Sequence, residues 1–237
     1  MTYADRLARA VTMEDPVAYG KPPMSDVSST ALRAGNDPRI AEVLTYWLGA
    51  AAPTDADAHA RQSLWFTKSA DTDAEIGRRF GPLVEEALSG ALDGWAKTAR
   101  GRLALILLLD QFTRNLFRGT PKSFAGDAQA LQLALDGILA GHDMAPDIPS
   151  MARIFCYLPL EHAEDGPLQA QSVAAFGKLH ELAAPELRGF FAATLDYALK
   201  HQEVITRFGR FPHRNPILGR PSTAAEKEYL AQPGAGF

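Results

Sequence analysis

Residues 100–117 have the sequence RGRLALILLLDQFTRNLF, which predicts a long helix that ends near Gly119 and Pro121. Seven consecutive apolar residues, Leu103 to Leu109, are followed at once by Asp110 and Gln111. Burying polar or charged groups without partners costs free energy. The segment therefore either emerges into water at Asp110 or meets polar partners inside the protein.

Amphipathic helical patterns, with apolar residues three and four positions apart, recur along most of the chain. Asn36-Asp37-Pro38 supplies a helix start, and Gly81-Pro82 is predicted to kink or split the helix that contains it. Further helices are predicted over residues 72–89, 127–140, 151–157, 169–182 and 187–208, with a short one after Thr223. No segment alternates polar and apolar residues between hairpin turns as strands do. The predicted fold class is all-α, an irregular array of antiparallel helix hairpins.

The character of the sequence changes near residue 36. Residues 1–35 include the Pro- and Ser-rich stretch KPPMSDVSST and are predicted to form an N-terminal arm or linker. Residues 36–237 are predicted to form a single helical domain. With 46% hydrophobic and 22% charged residues, this is the composition of a globular protein that buries its own core.

Composition and charge argue against several classes of protein. The formal net charge of −4 argues against nucleic-acid binding. No apolar run approaches the roughly 18 residues of a membrane span, and the N-terminus lacks a signal-peptide core, so we expect a cytoplasmic protein with no membrane association. The lone cysteine, Cys156, excludes an intramolecular disulfide and a multi-cysteine metal site.

The first polar motif is the end of the 100–117 helix. Asp110 and Arg114 are four residues apart, as are Gln111 and Asn115, so each pair shares one helix face. Two interpretations stay open. The pairs satisfy one another where the helix leaves the core, or they line a cleft and bind a ligand.

The second polar motif is LEHAED at residues 160–165. In a helix, Glu161 and Asp165 would share a face, next to His162. This set is suited to general acid–base catalysis, to metal binding, or to pairing with arginines. The helical metal patterns Glu-x-x-His and His-Glu-x-x-His are absent, so we predict no metal site. Glu161, His162 and Asp165 are candidate catalytic residues, together with His213 further along the chain.

The third motif is RFGRFPHRN at residues 207–215, a basic loop interrupted by glycine and proline. The guanidinium groups of Arg207, Arg210 and Arg214 are suited to holding an anion. They are equally suited to capping helix carbonyls or to pairing with the carboxylates of the second motif. We expect the three motifs to converge in one inner polar cluster, because each buried charge there would be compensated. His201 would join this cluster if it faces His162.

The motifs RGRLALILLLDQFTRN, YLPLEHAED and RFGRFPHRNPILGR, in this order, resemble those of an uncharacterised bacterial family, domain-of-unknown-function family 924. The resemblance covers about residues 37–230, with weaker support from AEVLTYWLG, LWF and EIGRRF. It implies a compact, tetratricopeptide-like helical fold and no particular activity or cofactor. Thr113 departs from the pattern of the family, which typically has proline there, so a kink after Phe112 is less expected. Gly166-Pro167 likewise indicates an early end to the helix of the second motif.

Three functions follow from a converged cluster. The protein is an enzyme acting on a small anionic molecule, a tetratricopeptide-like module that binds a peptide, or a helical protein whose polar network is purely structural. A concave pocket with perturbed titration would favour the enzyme, and an open groove with exposed aromatic residues would favour the peptide module. A network with no cavity and every charge paired would favour the structural role.

Overall fold

The structure is a computed structural model that describes residues 37–236. The N-terminal arm predicted over residues 1–35 lies outside the described residues. The helices are α1 (Pro38–Leu48), α2 (Asp55–His59), α3 (Gln62–Phe66), α4 (Ala70–Leu88), α5 (Ala99–Ile106), α6 (Thr113–Leu116), α7 (Asp127–Leu139), α8 (Arg153–Glu161), α9 (Gly166–Leu182), α10 (Arg188–Phe208) and α11 (Ala224–Leu230). No strand occurs within residues 37–236, which confirms the all-α prediction. None of the helices described there is long and apolar enough to cross a membrane.

The helix predicted over residues 100–117 is present and is central to the core. Helix α5, a π-helical turn (Leu107–Phe112) and α6 follow one another without a break. This helix packs against α1, α4, α7 and α8. Every residue from Leu103 to Asp110 is buried, because a helix that is apolar all round must be enclosed on all sides.

The π-helical turn lies where the apolar residues give way to polar ones. Such a turn adds one residue to the α-helical register and changes the direction of the side chains after it, and it is frequent at functional sites. The Thr113 hydroxyl donates to the Leu109 carbonyl oxygen at 2.7 Å. Because threonine, unlike proline, keeps its backbone N–H, residue 113 does not interrupt the helix, which continues past Phe112 to Leu116.

Gly81-Pro82 was predicted to kink or split its helix, and the split is wrong. Helix α4 continues through Pro82 to Leu88. Proline removes the hydrogen bond to the carbonyl of Arg78, one turn earlier. Pro82 and Arg78 both lie on the exposed side of α4, where water can satisfy that carbonyl oxygen.

Glu161 and Asp165 do not share a helix face, because the helix of the second motif ends early, as Gly166-Pro167 had indicated. Helix α8 ends at Glu161, and Asp165 begins the next helix, where its side chain accepts a hydrogen bond from the Leu168 backbone N–H at 2.9 Å. Aspartate is a favoured N-cap residue, and proline is favoured in the first helical turn, as Pro167 is here. The sequence DGP therefore starts α9 rather than extending α8.

Gly126 allows the start of α7 to lie directly against the central helix. A Cβ added at Gly126 would overlap the backbone carbonyl of Leu109, which cannot move aside alone. Gly126→Ala should therefore lower the free energy of unfolding by about 1–3 kcal/mol, measured by urea denaturation. A Cβ at Gly177, inside α9, would meet nothing within 4 Å. The control Gly177→Ala should raise stability by about 0.5–1 kcal/mol, and similar losses in both variants would contradict the close contact.

Candidate functional site

The three polar motifs, which are far apart in sequence, are in contact in the structure. His162 Nδ1 lies 2.7 Å from Asp110 Oδ1, which joins the second motif to the first. Arg214 Nη2 donates to the His162 carbonyl oxygen at 3.0 Å, which joins the third motif to the second. The expected convergence is therefore observed, and it answers why an apolar helix ends in Asp-Gln. The polar groups meet partners inside the protein.

Asp110 is the centre of this cluster and is 1% exposed. Its Oδ2 accepts from Gln111 Nε2 at 2.6 Å, and its Oδ1 lies 3.2 Å from Arg114 Nη1. Burial raises the pKa of Asp110, but Arg114 and His162 together outweigh that effect and hold the pKa well below its usual range. Asp110 is therefore an ionised carboxylate at neutral pH.

A chain of alternating charges extends from Asp110 to the basic loop. Arg114 Nη1 and Nη2 donate to the two carboxylate oxygens of Asp127, at 2.9 and 3.2 Å. Arg214 Nη1 lies 3.6 Å from Asp127 Oδ2 on the other side. Burial and the nearby Arg114 charge lower the pKa of Arg214 to about 10, so it stays charged at neutral pH. Each of these four charges thus has an opposite neighbour, as burial requires.

The end of helix α8, which carries Glu161 and His162, is held by Gln169. Its Nε2 donates to the backbone carbonyls of Glu161 and Ala163, at 2.6 and 2.8 Å. The last carbonyls of a helix have no partner within the helix, so a buried helix end needs such donors. Gln169, which is itself fully buried, fixes the two candidate catalytic side chains relative to α9.

His162 presents a neutral imidazole. Because the Asp110 carboxylate only accepts, the ring proton of His162 lies on Nδ1. Burial and the Arg114 charge lower the pKa of His162, although Asp110 opposes them. Nε2 therefore carries the lone pair, and no residue among 37–236 donates a hydrogen bond to it. A histidine oriented in this way by a carboxylate has the arrangement of a general base.

Glu161 lies next to His162 and faces α10. Its Oε1 is 3.3 Å from His201 Nδ1, and that same nitrogen lies 2.9 Å from the Tyr197 carbonyl oxygen. Burial, reinforced by the negative charge of Asp110, raises the pKa of Glu161 to about 8. Burial also lowers the pKa of His201 to about 3. At neutral pH both groups are therefore mainly uncharged.

These groups line a cavity of about 520 Å³ between α3, the central helix, α8, α9 and α10. Of the predicted site residues, Gln111, Arg114, Asn115, Glu161 and His162 lie in its wall, and Asp110 lies behind them. His201 also lines it, with its ring centroid 6.4 Å from that of His162. Its apolar wall includes Trp65, Phe66, Leu158, Phe176 and Phe190.

Besides Asp110, five predicted site residues do not lie in the cavity wall. Asp165 is exposed as the cap of α9, and Arg207 is exposed with its guanidinium over the ring of Phe208. Arg210 is held by Glu226, with Nε 2.6 Å from Oε1. His213 lies against Phe211, and Arg214 is occupied by Asp127 and His162. The basic loop is thus attached to the helices by its arginines, an alternative that the sequence had left open.

The acids of the second motif also have structural partners outside the cavity. Glu164 is bound by Arg220, with Nη1 2.6 Å from Oε2, and accepts from the Phe211 backbone N–H at 2.8 Å. Within the part of the chain that the structure describes, no group of three or more His, Cys, Asp or Glu side chains is arranged to hold a metal ion.

Three parts of the polar cluster and its cavity were not predicted from the sequence. Asp127 was assigned only to the start of a helix, Gln169 was not singled out, and the cavity wall from α3 was not expected. Asp127 directly follows Gly126, and this Gly-Asp pair was the one available signal for a helix start that approaches another helix closely. His201 was expected to join the cluster if it faces His162, and the two rings do lie close together.

The comparisons with known proteins agree with the motifs. A solved structure of a protein of unknown function from Agrobacterium tumefaciens is similar, with a TM-score of 0.66 and 36% sequence identity over 82% of this chain and 97% of that chain. No curated protein matches the sequence. Residues 43–234 match the family described as bacterial proteins of unknown function, DUF924. The chain therefore belongs to this family, as its three motifs had indicated.

Proposed function

We propose that the cavity binds a small molecule with an apolar body and an anionic group, and that the protein is an enzyme in which His162 moves a proton. The observation that carries the proposal is the His162–Asp110 pair, in which His162 lies in the wall of a cavity of about 520 Å³ and Asp110 lies behind it. An ionised carboxylate on Nδ1 orients the ring and stabilises the imidazolium that forms when Nε2 takes a proton. Gln111 and Asn115 are further candidate ligand contacts.

The charges in the wall favour an anion. The charged side chains that line the cavity are Lys68, Arg114, Arg118 and Glu161, and Glu161 is mainly protonated at neutral pH because burial raises its pKa to about 8. Arg114 already pairs with Asp110 and Asp127. Arg118 binds Asp73 through Nε and Nη2, which leaves its Nη1 to contact a ligand. Lys68 and Arg118 are exposed, so the anion would be held at the mouth of the cavity.

A purely structural network fits less well. Such a network would leave no cavity, yet the polar cluster opens onto one. It would also pair every buried polar atom, yet Glu161 Oε2 is buried and has no hydrogen-bond partner among residues 37–236. An unsatisfied buried group is costly, and a ligand in the cavity would supply the missing partner of Glu161.

Peptide binding is the second candidate, favoured by two aromatic residues of the cavity wall. Phe66 is 60% exposed and Tyr197 is 54% exposed, and both line the cavity. A peptide would place one side chain in the cavity and lie across these rings. This alternative predicts that peptides carrying a small acidic group bind more tightly than the free group.

A thermal-shift screen tests the proposal. Aromatic and branched carboxylates and phosphates should raise the melting temperature more than uncharged compounds with the same body, because a ligand that binds only the folded state stabilises it. Lys68→Met should weaken the anions about two- to fivefold, the usual value of an exposed ion pair. Lys178→Met, in an exposed pair with Glu181, is the matched control and should have no effect.

Activity is tested next, with the compounds that bind. His162→Gln should leave their affinity within a few-fold and lower turnover about 10²–10⁴-fold, as expected for loss of a general base. If anions and uncharged compounds bind equally, or if Lys68→Met and Lys178→Met behave alike, the assignment of the anion site is wrong.

A further inference from the structure

We propose that Glu161, in its protonated form, is a hydrogen-bond donor on the floor of the cavity and selects a ligand with a neutral carbonyl oxygen at that end. The inference rests on the cavity of the proposed function and adds the class of ligand. This ligand is a carbonyl compound (a ketone, ester or amide) with an apolar body and an anion at the other end.

The position of Glu161 is the first step. The residue is 4% exposed and lies in the cavity wall. Its backbone carbonyl accepts from Gln169 Nε2, which fixes the point at which the side chain leaves α8. Oε2 has no hydrogen-bond partner among residues 37–236 and is covered by the protein, so a ligand acceptor meets it once the Glu161 side chain rotates toward the cavity. This carboxyl oxygen therefore lacks the partner that a buried polar atom normally has.

The position of the proton is the second step. The Tyr197 carbonyl oxygen only accepts, so His201 Nδ1, 2.9 Å away, carries a hydrogen. Glu161 Oε1 lies 3.3 Å from that same N–H and therefore faces a donor. The acid proton accordingly belongs on Oε2, where Glu161 acts as a donor and lacks only an acceptor.

The surroundings of Glu161 keep it protonated. The neighbouring π-helical turn presents the Asp110 carboxylate, which disfavours a second negative charge. Helix α10 presents the neutral His201, and α8 itself presents the neutral His162. Helix α9 contributes the Gln169 amide, which binds the Glu161 backbone carbonyl. No lysine or arginine among residues 37–236 forms an ion pair with Glu161, whose one ion-pair distance is to His201.

The class of ligand follows from these groups. A neutral carboxylic acid donates well to a carbonyl oxygen, whereas a carboxylate at this position would be repelled by Asp110. The aromatic wall contacts the apolar body, and Lys68 and Arg118 lie at the exposed end, where an anion is better placed. A ligand would therefore enter with its carbonyl first and its anion last.

The protonation state is tested without any ligand. Infrared difference spectroscopy of the wild type against Glu161→Gln should show a protonated-carboxyl band at pH 7 that is lost as pH rises through about 8. An exposed carboxylate, Glu203→Gln on α10, is the control and should not remove the band. Absence of the band at pH 7 overturns the proposal.

The ligand class is tested with two probes, 4-acetylbenzoate and 4-ethylbenzoate, which share the ring and the carboxylate and differ in the carbonyl at the opposite end. The acetyl compound should bind the wild type about five- to tenfold more tightly at pH 7, the value of one hydrogen bond to a buried donor. In the wild type this preference should vanish by about pH 9.5. In Glu161→Gln, whose amide still donates, it should persist at that pH. In Glu161→Met it should be absent at every pH.

The outcomes separate the two proposals. If both probes bind equally while the band is present, the donor role of Glu161 is wrong and the anion-binding cavity stands. If neither probe binds although the band is present, the proposed function is wrong, and the ligand class falls with it. A preference that survives in Glu161→Met would assign the carbonyl to another donor and overturn the inference.

Discussion

Replacing Asp110 by alanine should lower the free energy of unfolding by about 3–5 kcal/mol, the usual effect of removing one partner from a buried ion pair. The carboxylate is 1% exposed and contacts Arg114, Gln111 and His162. Its removal leaves Arg114 with Asp127 as its remaining carboxylate and leaves the His162 N–H without an acceptor. In a chain of this length, the melting temperature should fall by roughly 10 °C.

The matched control is Asp196→Ala. Asp196 and Lys200 have the same four-residue spacing on α10, with a contact of 2.6 Å, but both side chains are more than half exposed. Exposed pairs contribute little, so this variant should change stability by less than about 1 kcal/mol in urea unfolding. A loss for Asp110→Ala no larger than for Asp196→Ala would show that water replaces the lost partners, and the buried cluster would lose its central role.

The local part of the site was predictable from spacing. Asp110 and Arg114 are four residues apart, and in the structure their closest side-chain atoms are 3.2 Å apart. The convergence of the motifs was predictable from charge balance, because a buried carboxylate requires cations from elsewhere in the chain. Helical periodicity likewise predicted an all-α fold, since it depends only on neighbours in sequence.

The partners chosen by tertiary packing were not predictable. Nothing in the sequence indicates that Arg214 binds Asp127, or that Arg210 is held by Glu226, because any of several carboxylates carries the same charge. The cavity itself depends on how α3 and α10 approach the central helix, which a one-dimensional pattern does not contain. Charge alone had therefore suggested Arg210 and Arg214 as anion ligands, although in the structure Arg210 pairs with Glu226 and Arg214 with Asp127.

The wrong predictions have local causes that the structure makes visible. Pro82 was expected to break a helix, yet its position on the exposed side lets water satisfy the freed carbonyl. Asp165 would have shared a face with Glu161 in a longer helix, yet its side chain caps α9, in agreement with the early helix end that Gly166-Pro167 indicated. The outcome at Pro82 was decided by which face of α4 is exposed, which a short motif does not specify, whereas the outcome at Asp165 was decided by its N-cap hydrogen bond.

The second large effect is expected from Glu161→Gln and depends on pH. Burial and the Asp110 charge raise the pKa of Glu161 from 4.5 to about 8 in the folded protein. A raised pKa means that its contribution to stability is fully present below about pH 4.5 and is lost as pH rises through about 8. Glutamine cannot ionise, so the variant does not lose this stability as pH rises. The stability of the variant relative to the wild type should therefore grow by about 4 kcal/mol between pH 5 and pH 9. Most of this change falls between pH 5 and about pH 8, at about 1.36 kcal/mol per pH unit.

Comparing the two proteins at each pH isolates this one group. His142, His162, His201 and His213 have lowered pKa values, which make both proteins lose stability in the same way as pH falls below about 6.5. Asp110 has a lowered pKa, so its protonation changes stability only below about pH 4. Urea unfolding at intervals from pH 5 to pH 9 gives the difference, and Glu203→Gln, on the exposed side of α10, should show none. A difference that is constant over this range would mean that Glu161 is ionised at neutral pH, and the floor of the cavity would then repel a carbonyl oxygen instead of binding it.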